Sequence, residues 1–460
     1  MFLTYIRPRA SILWSVSIAA FAASFLTPLP AFAQQDDTMH LTLAQAIDLA
    51  MKQNRDLKLA SLNIDDATHK KAIARSAYYP KISNDSKMTY ITELAGVAIP
   101  AGAFGDFSST GKIPGKTLFL DQGSSLSYTS GTSLDQPVTQ LIRIHEANRS
   151  AASDLRSAGI DLERGQDDVT LKVRQLYYQA LILQQKQQAA DDEIAAAQIK
   201  LDESQRDVTN GNALQVAALQ GRAALLEARQ EALATKLSLH DTMLSLADLL
   251  GLPVHSAIVL DPDTASADAP LPSRAECLRI TEEQNPDLRL AMEAITKAHA
   301  GVAAARDNYI PDITALAHYS YQSGVPLLVH NFGIFGFSFT YDLFDGGKRI
   351  EQIKDAHTEL EEAEMNRQKV EEELAVQIES AYDKVEQWSD MVSVAQEAMR
   401  ARTEAARLAD RQFEQNAMLA SARSEAHAQQ AASGASLLEA ELNLSLAQAD
   451  VRRILGDNSH

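Results

Sequence analysis

Residues 74–83 read ARSAYYPKIS and residues 305–314 read ARDNYIPDIT, 231 positions apart. Five of the ten positions are identical, and Ser83 against Thr314 adds a conservative sixth. The same register holds upstream, where Gln53/Gln284, Asn54/Asn285, Leu57/Leu288, Ala60/Ala291, Ile64/Ile295 and Ala67/Ala298 match, and downstream to Tyr90/Tyr321. The offset then becomes 205: Ser133/Ser338, Ala151/Ala356, Tyr177/Tyr382, Arg206/Arg411, Leu233/Leu438 and Gly251/Gly456 are identical. The chain is therefore two copies of one unit. Copy one carries 26 extra residues between Tyr90 and Ser133, and an insertion tolerated there marks an exposed loop.

Each copy opens with a short predicted helix, about 42–53 and 273–284, broken near Asn54 and near Asn285-Pro286. A second helix is expected to run to Tyr79 or Ile310. Pro80 and Pro311 stop it, because proline cannot continue a helix and disfavours helix in the residue before it. Beyond the proline the period changes. Phe335, Phe337, Phe339, Tyr341 and Leu343 alternate with Gly336, Ser338, Thr340 and Asp342, which predicts a strand with one apolar and one polar face. Its hairpin partner is about 313–323, giving a hairpin of about 313–343. In copy one the hairpin spans about 82–136, with weaker alternation and a long loop over 91–123.

Long helical stretches follow, with no proline between Pro137 and Pro253 and none after Pro326. Ile378, Val385, Val392, Met399, Ala406 and Phe413 recur every seven residues, as do Val173, Ala180, Gln187, Ile194, Leu201 and Val208 in copy one. Sustained heptads predict coiled-coil packing. The helical hairpins are expected over about 140–250 and 347–455, turning near Asn210-Gly211-Asn212 and Gln415-Asn416. A first arm of roughly 70 residues would be about 105 Å long.

At the N-terminus, Arg7 and Arg9 precede an apolar run from Ser11 to Leu26, and Ala31-Phe32-Ala33 forms a small-residue cleavage site. Residues 1–33 are thus predicted to be a secretory signal peptide, leaving repeat 1 at 34–256 and repeat 2 at 257–460. Losing its two arginines takes the formal charge from −19 to −21, which argues against nucleic acid as a partner. The single cysteine, Cys277, excludes an intrachain disulfide. Beyond the leader no 18-residue apolar run exists, so no transmembrane helix is expected.

Four strands per chain are too few to close a barrel, and lipid tolerates no open sheet edge. Either several chains share one membrane barrel, or the sheet is a small soluble cap on a periplasmic structural coiled coil that forms no pore. Export and alternating aromatic strands favour the barrel.

Further motifs bear on that choice. Asn54-x-x-Leu57 and Asn285-Pro286-x-Leu288, Ala74-Arg75 with Pro80, Ala305-Arg306 with Pro311, Gln136-Pro137-Val138, and Leu343-Phe344-Asp345-Gly346-Gly347 with Arg349 occur in this order. In duplicate, they resemble the TolC-like outer-membrane efflux protein family. The resemblance covers about 41–456. It implies a mainly α homotrimer with a long α-helical coiled-coil barrel and a twelve-stranded transmembrane β-barrel, four strands per chain. It implies a passive, non-enzymatic exit channel in the cell outer membrane, with a large periplasmic portion. The partners it implies are outer-membrane lipid, a periplasmic adaptor (membrane fusion) protein and an inner-membrane transporter, in a tripartite efflux or type I secretion system.

Carried onto this sequence, the resemblance makes Gly211, Asn212, Ala213, Asn416, Ala417 and Met418 the adaptor-contacting tips. Glu425 becomes the acidic residue of the periplasmic aperture, although Ala422, Ala217 and Gln220 stand where further charge would be expected. Arg75, Pro80, Pro137, Arg306, Pro311, Gly346 and Gly347 become helix–strand junctions, and Phe335, Phe337, Phe339 and Tyr341 face lipid. No cofactor is implied. Gly111-Lys112-Ile113-Pro114-Gly115-Lys116-Thr117 imitates a phosphate loop but has three residues between its glycines instead of four, and it lies in the inserted loop. The eleven histidines show no metal-ligand spacing, and no nucleophile–base constellation stands out.

Overall fold

The structure, a computed structural model, describes residues 39–93, 96–120, 124–253, 256–262, 270–324 and 329–456. The leader expected at 1–33 lies outside the described residues.

In chain order, the first half holds β1 (Met39–Leu41), α1 (Leu43–Gln53), α2 (Arg55–Ser76), β2 (Lys81–Tyr90), β3 (Val97–Ile99), β4 (Asp106–Phe107), β5 (Gly111–Lys112), β6 (Leu118–Leu120), β7 (Leu126–Pro137), α3 (Leu141–Thr209) and α4 (Gln215–Leu249). The second half holds β8 (Ile258–Leu260), α5 (Arg274–Gln284), α6 (Pro286–Asp307), β9 (Asp312–Ser323), β10 (Asn331–Thr340), α7 (Lys348–Glu414) and α8 (Ala420–Leu455). With 69 and 67 residues, α3 and α7 each run about 100 Å at 1.5 Å per residue.

The short helices begin at side-chain caps. Thr42 and Gln45 form a capping box on α1, and Ser273 caps α5. Asn54 and Asn285 then end one helix and start the next, their side-chain oxygens accepting from two backbone N–H groups of α2 and α6 respectively. Each amide nitrogen also donates to the end of its own repeat's last helix, Asn54 to the Leu249 carbonyl at 3.0 Å and Asn285 to that of Ile454 at 2.9 Å. Both asparagines are buried.

Glycine completes each joint. Gly251 and Gly456 sit at φ +71° and +73°, and a Cβ on either would lie 2.9 Å from the Gln53 or Gln284 carbonyl oxygen. The internal symmetry extends to two tyrosines. The Tyr177 hydroxyl reaches the Leu41 carbonyl at 2.8 Å, just before the Thr42 cap. Tyr382 reaches that of Pro272, just before the Ser273 cap.

Helix α3 is the spine of the protein and packs against α1, α2, α4, α6 and α8, while α7 packs against α5, α6 and α8. The heptads decide these contacts. Val173, Ala180 and Leu201 are buried on α3, and Ile378, Ala381 and Ala406 on α7. The largest core gathers around Tyr177 and Leu246, and a second around Cys277, Ile378 and Leu455. Burial pushes the Cys277 thiol above its ordinary range and the Tyr382 phenol up to about 12.

The main sheet is antiparallel with strand order β10-β9-β7-β2, so the two hairpins join through β7 and β9. Three boundaries differ from the sequence-based expectation. Helices α2 and α6 end at Ser76 and Asp307, not at Tyr79 and Ile310. The intervening residues tighten into i→i+3 turns, as in Tyr79 N–H to Ser76 carbonyl and Ile310 N–H to Asp307 carbonyl, because the coming proline has no N–H to continue the ladder. Strand β10 begins at Asn331 and ends at Thr340, leaving Tyr341 outside it. The loop 91–123 contains two small antiparallel pairs, β3–β6 and β4–β5.

Candidate channel wall, junctions and tips

Pairing register sorts the sheet into two faces. Phe335, Phe337 and Phe339 stand beside Ala317, Ala315 and Ile313 on one face and are 87%, 77% and 67% exposed. The row continues through Leu134 to Ile82. Tyr319, Tyr321, Tyr128 and Tyr90 share this outward face nearer the hairpin ends. Its β2–β7 portion also carries Asn84, Ser86, Ser130 and Thr132, which bond one another at 2.8–3.3 Å through three hydroxyls and an amide. These four side chains thereby satisfy one another within the face. The opposite face carries Ser133, His318, Thr314 and Asp135, with Ser133 Oγ 2.9 Å from His318 Nδ1.

The junctions lie where the sheet meets the helices. Thr139, after the first hairpin, donates its hydroxyl to the Pro311 carbonyl at 2.7 Å and accepts from Ile313 N–H at 2.8 Å. Pro137 and Pro311 are thereby brought together although 174 positions separate them. Arg143 bonds Asn308 at 3.0 Å and pairs with Asp312. On the other side, Gln136 donates to the Tyr78 carbonyl, holding the turn before Pro80.

Gly346 and Gly347 are both left-handed, at φ +69° and +88°, which β-carbon-bearing residues resist. Their turn brings Asp345 back onto Arg349, Nε to Oδ2 at 2.7 Å, and Arg349 holds that carboxyl below the usual carboxylate range. The guanidinium also lies over the rings of Tyr309 and Tyr341, 5.2 and 5.0 Å from their centroids. Tyr341 is accordingly half-buried under Arg349 and is not a continuation of the exposed Phe stripe. Arg306 approaches His357 Nε2 at 3.0 Å, and Arg75 occupies the last turn of α2.

At the far end the helical hairpins turn. Gly211 is left-handed at φ +76°, and Asn212 N–H and Ala213 N–H both donate to the Asp207 carbonyl. Asn416, at φ +54°, is the non-glycine residue with positive φ among those described. Ala417 N–H donates to the Gln412 carbonyl, and Met418 precedes the next cap. Sequence reading missed the caps themselves. Leu214 and Leu419 occupy the N-cap positions of α4 and α8, where Ser, Thr, Asp or Asn would bond the helix start. They are 79% and 67% exposed. An apolar side chain at a capping position gives the helix nothing; the signal was the missing cap.

Glu425 sits one turn into α8 with Lys200 of α3 at 3.9 Å. Glu203 of α3 accepts from the Ser421 N–H at 3.1 Å, so α8 begins against α3. Asp410 accepts from Arg423 at 2.6 Å and contacts His427 at 2.9 Å. His427 first, and then Arg423, hold the Asp410 carboxyl below its usual range. That α7–α8 link is therefore complete above the ordinary carboxylate pKa and is lost as pH falls through the depressed value. Among the described residues no cluster of metal-ligating side chains exists, and no helix is long and apolar enough to cross a membrane.

A four-stranded sheet with an exposed aromatic face, standing on paired helices of about 100 Å, defines an outer-membrane channel protomer. The sequence matches the profile of the outer membrane efflux protein family over residues 46–252 and 278–457, and the chain belongs to that family. Among solved structures it is similar to the CmeC outer membrane channel of Campylobacter jejuni, at 18% identity and TM-score 0.73 over 90% of this chain and 85% of that one. A membrane protein from Pseudomonas aeruginosa aligns at 16% identity and TM-score 0.71 over 90% of each chain. The open state of the Neisseria gonorrhoeae MtrE outer membrane channel aligns at 18% identity and TM-score 0.66 over 90% of this chain and 88% of that one. No curated protein sequence matches the chain. The protein is an outer-membrane efflux channel with a large periplasmic helical portion, a conduit and not an enzyme.

Proposed function

We propose that three copies share one twelve-stranded barrel and form the exit duct of a tripartite efflux or type I secretion system, each copy contributing two repeats divided near residue 256. The observation that carries this reading is the open sheet. β2 and β10 are its two edges within one chain, and in lipid each edge needs a partner strand. A neighbouring copy supplies one by pairing its β10 with β2.

The helices support the same assembly. Leu219, Leu226, Leu233 and Leu237 form a stripe on α4, each more than half exposed. Met365, Val376, Met391 and Val394 form another on α7, also more than half exposed. Two different apolar stripes on one chain suit a head-to-tail ring that closes by rotation. The exposed Leu214 and Leu419, together with Gly211, Asn212, Ala213, Asn416, Ala417 and Met418, supply an apolar docking edge for a periplasmic adaptor, and an inner-membrane transporter completes the path. Detergent-solubilised outer membranes should yield a particle of three chains that conducts ions in planar bilayers. A protein released from membranes by a salt wash would overturn the channel and leave the soluble coiled coil.

In a trimer the three Glu425 side chains form an acidic ring, as carboxylates do in cation pores. Glu425→Ala should weaken block by multivalent cations in planar bilayers and alter single-channel conductance. Lys200 beside it makes Lys200→Ala the counter-test: it should strengthen that block. Unchanged behaviour in both variants would remove Glu425 from the constriction.

A further inference from the structure

The inserted segment of the first hairpin is apolar along both of its arms. From Gly96 to Gly105 it contains no polar side chain: Val97, Ala98, Ile99, Pro100, Ala101, Ala103 and Phe104 lie between its glycines. On the returning arm β6 is Leu118, Phe119 and Leu120. In the paired register Val97 and Ile99 share one face with Leu120 and Leu118, and Ala98 shares the other with Phe119. The hairpin is thus apolar on both faces. Between Gly96 and Leu120 its charged residues are Asp106, Lys112 and Lys116, and Glu93 and Asp121 flank its base.

Backbone bonds knit the arms together, with Phe104 N–H to the Ile113 carbonyl at 2.9 Å, Ile113 N–H to that of Gly105 at 2.9 Å and Gly102 N–H to that of Pro114 at 3.0 Å. Yet no residue from 96 to 120 is buried, and Phe119 is 75% exposed. An isolated two-stranded hairpin is marginal in water at best and needs a covered face. This one has neither face covered by its own chain.

We propose that the three hairpins of a trimer pack against one another as an apolar collar at the extracellular mouth; this rests on the trimeric reading above. Two features select copies of this chain as the occupant. The hairpin continues β2, the edge strand at which a neighbouring protomer must pair, and Ile91 N–H to Ser125 carbonyl at 2.7 Å extends the β2–β7 ladder toward it. The β2–β7 connection also lies at the end of the sheet away from the helices, hence outside the cell. Furthermore, a ring gives each hairpin two different neighbours, one for each face, whereas a lipid surface would cover a single face and leave the other in water.

The test is cross-linking in isolated outer membranes. In a Cys277→Ser background, Ala98→Cys and Leu118→Cys place one thiol on each face. A short bifunctional maleimide should convert the double variant to covalent dimers and trimers, while either single variant stays monomeric on denaturing gels. A second measurement is the planar-bilayer conductance of a variant with 97–120 replaced by a short glycine-serine turn, which should rise at least twofold as the mouth widens. Particle size in detergent separates the two readings. Intact trimers that neither cross-link nor change conductance overturn the collar alone, and lipid-embedded hairpins would give that result. A monomeric particle from the unmodified chain overturns the trimer and the collar together.

Discussion

Gly211→Arg and Ala417→Glu are each expected to abolish export while the protein still reaches the outer membrane as a trimer. Both positions lie in turns whose bonds are made by backbone, Asn212 N–H and Ala417 N–H donating to Asp207 and Gln412. No atom lies within 4 Å of the place a Cβ on Gly211 would take. The fold therefore has room for a long side chain there, at the cost of about 1–2 kcal/mol for its left-handed backbone. The adaptor contact proposed above does not have that room. A charge forced into an apolar contact between Leu214 and Leu419 of the tips and an adaptor, left without a partner, costs about 2–5 kcal/mol. That is more than tenfold in affinity. Measured substrate efflux from cells should fall to that of a strain lacking the protein, with trimer quantity on semi-native gels unchanged. If the trimers themselves dissociate, the turns are structural and the adaptor assignment is wrong.

The second large effect is expected at the asparagine joints. Asn54→Ala or Asn285→Ala removes a helix cap, worth about 0.5–2 kcal/mol, and strands a half-buried carbonyl at the end of α4 or a buried one at the end of α8, worth up to about 1–3 kcal/mol more. Either single variant should lower the temperature at which trimers dissociate on gels. The double variant should leave little assembled protein, since the joints lie in different cores and their losses add. Aspartate retains the capping oxygens but not the donor, so Asn285→Asp should fall between wild type and alanine. Equal damage from alanine and aspartate would mean that the bond to Ile454, not the cap, carries the joint.

Much of the architecture was legible because its punctuation is local. Pro80, Pro311, Asn54 and Asn285 act on their own backbone, and their effect can be read without knowing the neighbours. Heptads over α3 and α7 are legible because a seven-residue period survives in one dimension. The second hairpin is plain, with alternating phenylalanines on one face. The first is obscured, since Asn84, Ser86, Ser130 and Thr132 stand on its outward face and balance one another only once β2 pairs with β7. Equally invisible were the β1–β8 pair, whose three-residue strands are 219 positions apart, and Arg349 between Tyr309 and Tyr341. Both depend on contacts that no spacing rule encodes. The tips were placed correctly as turns, but the exposed leucines beside them became evident only when their capping positions were seen to lack a bond.

The asparagine joints also bear on when the chain can fold. Asn54 waits for a carbonyl 195 positions later, and Asn285 for one 169 positions later. Neither repeat can lock until its final helix has been synthesised. The clasp that secures each half of the channel therefore closes late, tying the first joint of a repeat to its last helix.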